Sequence, residues 1–160
     1  MRVHTYICIV KLEKAIQSEK FTSQKHKAGL NILYTAWWLK TLISRELKAL
    51  GLTHEQFNVL RILKGKHPEK MCVKDIGVRM IERNSNVPRI VDRLVAKKYV
   101  ERSTSEMDKR ETVITLTTDG MDILKSAISA VDNIFTNTVV IKEADAETLN
   151  SLLESIRERE

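Results

Sequence analysis

The chain has 160 residues but only five glycines and two prolines. That is too few for an all-β fold with many tight turns, and long helices are the expected alternative. Cysteine occurs twice, at Cys8 and Cys72, far apart in apolar or mixed sequence. Two such residues make no disulfide framework, and a reducing cytoplasm is the expected compartment. No apolar run approaches the roughly 20 residues of a membrane span, so no membrane partner is expected. The start, MRVHTYICIV, is basic then apolar but lacks the small-residue cleavage site of a secretory signal. The histidines, His4, His26, His54 and His67, include no pair three or four apart on one helix. Spacing therefore gives no metal site, and no cofactor is implied. Catalytic signatures are missing too. Lys64-Gly65-Lys66 lacks the upstream glycine spacing and the following Ser or Thr of a phosphate-binding loop. No Ser/His/Asp set or carboxylate pair stands out, so the chain does not read as an enzyme.

What is present is a hydrophobic fraction of 42% and a formal net charge of +6. The first supports a packed core; the second suits a polyanionic partner without choosing between nucleic acid and a membrane surface. Along the chain, residues 1–22 form an N-terminal extension in which residues 3–10 favour a strand and KLEKAIQSEKF a short helix. Residues 23–50 read as one long helix, apolar around so much of its circumference that several sides must be covered, which points to a second subunit. Gly51 ends that helix at a left-handed position. Thr53 and Gln56 then make a capping box for a helix carrying Phe57, Leu60, Ile62 and Leu63. A short helix over 74–80 follows. Ser85 is the expected N-cap of the next, with Pro88 tolerable in its first turn. Strands are expected near 99–103 and 112–116, Thr117 caps a helix over 118–138, and a last helix over 144–159 buries Leu149, Leu152, Leu153 and Ile156.

The segment YVERSTSEMDKRETVITLTTDG, behind the helical run NSNVPRIVDRLVAKK, is the most informative part. Two β-branched segments around a basic tip make a hairpin attached to a basic helix. Such a helix fits the DNA major groove, and such a hairpin reaches the adjacent minor groove. Arg89 and Arg93 lie one turn apart on one helix face, beside Asn84, Ser85 and Asn86. Arg suits guanine and Asn adenine, while the helix-start amides suit a phosphate. Arg110 is the candidate for minor-groove insertion, and Asp108 the residue that holds the tip by bonding loop amides or orienting Arg110. Lys109, Arg102 and Lys74 are then phosphate contacts. The fold class is mainly α, a winged helix-turn-helix over 51–117 flanked by the helix over 23–50 and the C-terminal helices over 118–160. The alternative is a winged-helix protein–protein adaptor that does not read DNA. It need not keep bases at Arg89, Arg93 and Arg110, which argue against it.

LGLTHEQFNVLRIL, RIVDRLVAKKYVER and DKRETVITLTTDG, between Leu50 and Gly120, resemble the MarR family of bacterial transcriptional regulators. The resemblance implies a homodimer that binds a pseudo-palindromic double-stranded operator, repression, and release by a small aromatic or anionic ligand; the apolar surfaces of the first and last helices make these the expected dimer contacts. It implies a ligand cleft between the dimer helices and the winged module, for which Tyr34, Trp37, Trp38, His54 and Phe57 are the candidates here. Two departures are expected to matter. Tyr99 stands where the family usually has glycine, and Pro88 where it more often has Ser or Thr. The extension before Lys11 has no family counterpart.

Overall fold

The computed structural model describes residues 10–82, 86–106 and 108–158. The strand expected over 3–10 lies outside them apart from Val10. Among the described residues the elements are α1 (Leu12–Ala15), α2 (Gln24–Ala49), α3 (His54–Lys64), β1 (Met71–Cys72), α4 (Val73–Arg79), α5 (Val87–Ala96), β2 (Val100–Thr104), β3 (Thr112–Leu116), α6 (Thr118–Thr138) and α7 (Glu143–Arg157). No described helix is long and apolar enough to cross a membrane. The chain divides into two compact units, residues 1–42 and 43–160, with α2 running from one into the other.

In the first unit Leu12 of α1 is buried. Glu13 pairs with Lys27, and the hydrogen bond from that ammonium holds the Glu13 carboxyl below its ordinary range. Lys27 also lies 5.5 Å from the centre of the Phe21 ring. The Ser23 hydroxyl accepts the His26 amide at 3.1 Å and so caps the start of α2. Further along α2, Leu33 is 68% exposed and Trp37 60% exposed.

The second unit is built around α3. Thr53 and Gln56 make the expected capping box. Val59, Leu60 and Leu63 are sealed in a core shared with Ile76, Val91, Leu94, Val100, Ile114 and Leu124, and with Ile43 and Leu47 from the last turns of α2. The sheet has the order β1-β3-β2 and is antiparallel throughout. The hairpin pairs Val100 with Leu116 at its base and Thr104 with Thr112 toward its tip. The third strand, Met71–Cys72, was not expected; it pairs Met71 with Ile114 and Cys72 with Val113.

Two turns aim these elements. Gly51 has φ 70°, and the Leu52 amide returns to the Leu47 carbonyl at 2.9 Å. Lys98 has φ 61°, and the Tyr99 amide returns to the Leu94 carbonyl at 3.0 Å. Both are Schellman closures, which want a left-handed residue. The departure assigned to Tyr99 therefore belongs one position earlier, because the left-handed residue is Lys98. Gly120, in the first turn of α6, passes so close to the hairpin that an added Cβ would meet the Tyr99 carbonyl oxygen at 2.0 Å. The Leu149, Leu152, Leu153 and Ile156 stripe is uncovered in the single chain: none of α7 is buried, and Leu152 is 58% exposed.

These turns make a testable contrast. Lys98→Gly relieves left-handed strain and should stabilise the protein by about 1 kcal/mol, after the greater unfolded-state freedom of glycine is subtracted. Tyr99→Gly should destabilise it instead, by removing a half-buried ring with no backbone gain. Gly120→Ala should cost about 1–3 kcal/mol through overpacking. Urea unfolding midpoints measure all three, and a stabilising Tyr99→Gly would return the strain to that position.

Candidate nucleic-acid interface

The reading surface begins with the start of α5. Its N-cap is Asn86, whose Oδ1 accepts the Arg89 amide at 3.3 Å. The expected N-cap, Ser85, lies outside the described residues together with Asn84. Pro88 sits in the first turn, where an amide has no helical partner to lose. The cap engages Asn86 Oδ1, so this side chain cannot pair bidentately with adenine without giving up the cap; Nδ2 remains as a donor. Val87, Val91 and Leu94 are buried, which leaves Arg89 and Arg93 on the exposed side.

That side is not uniformly basic. Arg89 and Arg93 line a groove of about 320 Å³ with Asn86, Ile90, Glu55 and Glu82. Next to it, one ligand atom each of His54, Glu55 and Glu82 lie within 4.8 Å of one another, a donor set able to hold a metal ion. Sequence spacing had given no metal site, because Glu82 is far along the chain from His54 and Glu55. Only the fold of α3 against the end of α4 joins them.

A second groove, of about 420 Å³, separates α5 from the hairpin and is lined by Cys72, Val73, Lys74, Pro88, Arg102, Glu111 and Thr112. Arg102 and Lys74 therefore meet there, from β2 and α4. Arg102 Nη2 is 2.5 Å from Asp92 Oδ1 and 3.5 Å from the Pro88 carbonyl oxygen. It braces the hairpin against α5, a role its expected place among phosphate contacts did not include. Cys72 is half-buried, and its Sγ accepts the Asp75 amide at 3.4 Å as the N-cap of α4.

At the hairpin tip, Asp108 Oδ1 accepts the Arg110 amide at 2.9 Å. The Ser105 hydroxyl accepts the Asp108 amide at 3.3 Å, and the Glu111 amide closes onto the Asp108 carbonyl at 2.9 Å. These bonds are an Asx-type turn that leaves the side chains of Lys109 and Arg110 exposed. At the base, Thr117 clamps the hairpin: its hydroxyl donates to the Lys98 carbonyl at 2.8 Å and accepts the Gly120 amide at 3.0 Å.

The residues expected to line a ligand cleft fall in both units. The rings of Tyr34 and Trp37 lie 5.6 Å apart, tilted at 45°, on α2 in the first unit, and Trp38 follows in the chain, also exposed. His54, in the second unit, is in the donor cluster with Glu55 and Glu82. Phe57 faces inward as part of the core, with the Arg61 guanidinium 5.8 Å from its ring centre.

Comparisons with known proteins agree with this arrangement. Residues 52–112 match the MarR family. The HTH-type transcriptional regulator SarZ of Staphylococcus haemolyticus is 27% identical over 106 residues, covering 66% of this chain and 71% of that protein. A mutant MarR from Escherichia coli, solved in complex with operator DNA, is 25% identical, with a TM-score of 0.72 over 86% of this chain and 99% of its own. CouR of Rhodococcus jostii RHA1, solved with p-coumaroyl-CoA, shares the fold at 20% identity, with a TM-score of 0.70 over 85% of this chain and 95% of its own. The adaptor alternative finds no support in these relatives. The MarR-family match thus falls on α3 to the wing, with α5 in the place of a reading helix and β2–β3 in that of a wing, and the chain is similar to winged helix-turn-helix transcriptional regulators of that family.

Proposed function

We propose that the protein binds a pseudo-palindromic operator as a homodimer in the bacterial cytoplasm, acts as a repressor, and is released by a small aromatic or anionic ligand. The observation that carries the DNA reading is the placement of Arg89 and Arg93 on the exposed side of α5 while the clamped hairpin carries Lys109 and Arg110 at its tip. In this reading α5 enters the major groove and Arg110 the neighbouring minor groove. Lys74 and Lys109 hold phosphates, and Arg102 chiefly holds the wing at its angle. Partner subunits are supported by Leu33 and Trp37 on α2 and by Leu149, Leu152 and Ile156 on α7, all exposed and apolar. Release by a ligand is supported by the aromatic group on α2. A ligand there acts only as far as it prefers one spacing of the two reading helices over another.

Arg110→Ala should weaken operator binding by about 1–3 kcal/mol, and Lys74→Ala should weaken operator and random DNA alike and lower the salt slope by about one unit. Binding titrations across a salt series separate the two; if both variants scale specific and non-specific binding equally, the division into reader and phosphate contact is wrong. Light scattering at micromolar concentration should give a dimer, and a monomer would remove the basis for two coupled half-sites. A phenolic probe such as salicylate should quench tryptophan fluorescence and lower operator affinity, with DNA lowering probe affinity by the same factor. Quenching without a change in DNA affinity would mean that Trp37 and Trp38 bind a ligand but form no switch.

A further inference from the structure

Three helix ends meet at one ammonium group. The last turn of α2 closes at Gly51, α3 starts from the Thr53–Gln56 capping box, and α5 ends at Lys97, its C-cap. Lys97 Nζ donates to the Gly51 carbonyl and, at 3.1 Å, to Gln56 Oε1. The same Gln56 oxygen accepts the Thr53 amide at 3.2 Å, and Gln56 is buried. The Gly51 carbonyl stands at the C-terminal end of α2, where the helix carries partial negative charge that favours a cation. Directly beyond Lys97, the left-handed Lys98 turns the chain away toward the wing. Lys97 is therefore fixed where the reading helix stops, and two of its three N–H donors are used inside the protein. Its place in the sequence, next to Lys98 and behind Arg89 and Arg93, reads instead as one more outward base.

We propose that Lys97 is a positioning residue that sets the direction of α5 against the end of α2. The proposal rests on the DNA-reading function above. In a dimer joined through α2, the separation of the two reading helices depends on how each α5 is held against the end of its own α2. A cation bonded to the α2 terminus and to the α3 cap resists rotation of α5 about its buried stripe. Loss of that bond should make the spacing between reading helices less definite. It should not remove a DNA contact.

The test uses the full-length protein and an operator selected by it from a random library, together with two versions of that operator whose half-sites are one base pair closer or further apart. Lys97→Met keeps the stem and removes the donor. It should lower affinity for the selected operator roughly tenfold, in the range of hydrogen bonds to a charged group. It should narrow the preference for the selected spacing over the altered ones and leave the salt slope unchanged. Lys97→Arg, which keeps charge and donors, should restore the spacing preference. A salt slope reduced by one unit with the spacing preference intact would make Lys97 a phosphate contact and overturn the proposal. Unchanged spacing preference in both Lys97→Met and the milder Lys97→Gln would overturn it as well, which keeps the test decisive if one variant folds poorly. If the unaltered protein selects no sequence at all, the DNA-reading function fails, and that result is distinct from any difference among Lys97 variants.

Discussion

The burial of one stripe on α5 is the constraint on which the rest of the interface depends. Val91 and Leu94 are sealed against the core built on α3. Burying one such side chain is worth about 1.5–3 kcal/mol, whereas an exposed ion pair contributes about 0–1 kcal/mol. The apolar stripe therefore decides which face of α5 turns outward, and the Arg102–Asp92 pair can only adjust the result. Arg89 and Arg93 are exposed because Val91 and Leu94 are not: on a helix of 3.6 residues per turn, the two sets cannot share a face. Removing core volume under α5 should accordingly disturb DNA reading even where no DNA-facing residue changes.

The hairpin is aimed by a second, smaller set of contacts. Thr117 bonds the Lys98 carbonyl through its hydroxyl and the Tyr99 carbonyl through its amide, at 2.8 and 3.2 Å. Gly120 lets α6 start against that same segment. The end of α5, the base of the wing and the start of α6 are thus held at two successive peptide groups. Tilting the wing would break both bonds and bring α6 into the Tyr99 carbonyl, so the wing can bend at its tip more easily than it can swing from its base.

Much of this was legible in the sequence because it is local. The Thr53–Gln56 capping box, Gly51 as a left-handed stop, Thr117 as an N-cap and the strand over 112–116 each follow from residues within a few positions of one another. Other features escaped for definite reasons. A two-residue strand such as Met71–Cys72 has no alternation to detect. Asn84, Ser85 and Asn86 are all good caps, and the start of α5 at Val87 chooses the last. The family's glycine was matched to Tyr99, while the positive φ falls on Lys98, which carries no sequence signal for it. His54 and Glu82 meet only through the fold. The apolar stripe of α7 is legible too, as a face that one small domain cannot cover.

Charge shows the limit of reading composition as function. The net charge of +6 suits DNA, yet the bases are not equivalent. Lys27 is paired with Glu13, Lys97 is bonded between helix ends, and Arg102 is tied to Asp92 and the Pro88 carbonyl. Arg89 and Arg93 line a groove that also contains Glu55 and Glu82. Screening confines charge effects to roughly 8 Å at physiological ionic strength, so neighbours outweigh the total. Arg102 and Arg110 make the point within one hairpin. Both are exposed guanidinium groups of the same chemistry, but Arg102 has a carboxylate of its own at 2.5 Å, while Asp108 bonds the backbone amide of Arg110. In the first case the acid takes up the charge of the side chain; in the second it shapes the loop and leaves the side chain pointing outward. An aspartate beside an arginine can thus lower or raise its availability to DNA, and which it does depends on whether it bonds the guanidinium or the amide.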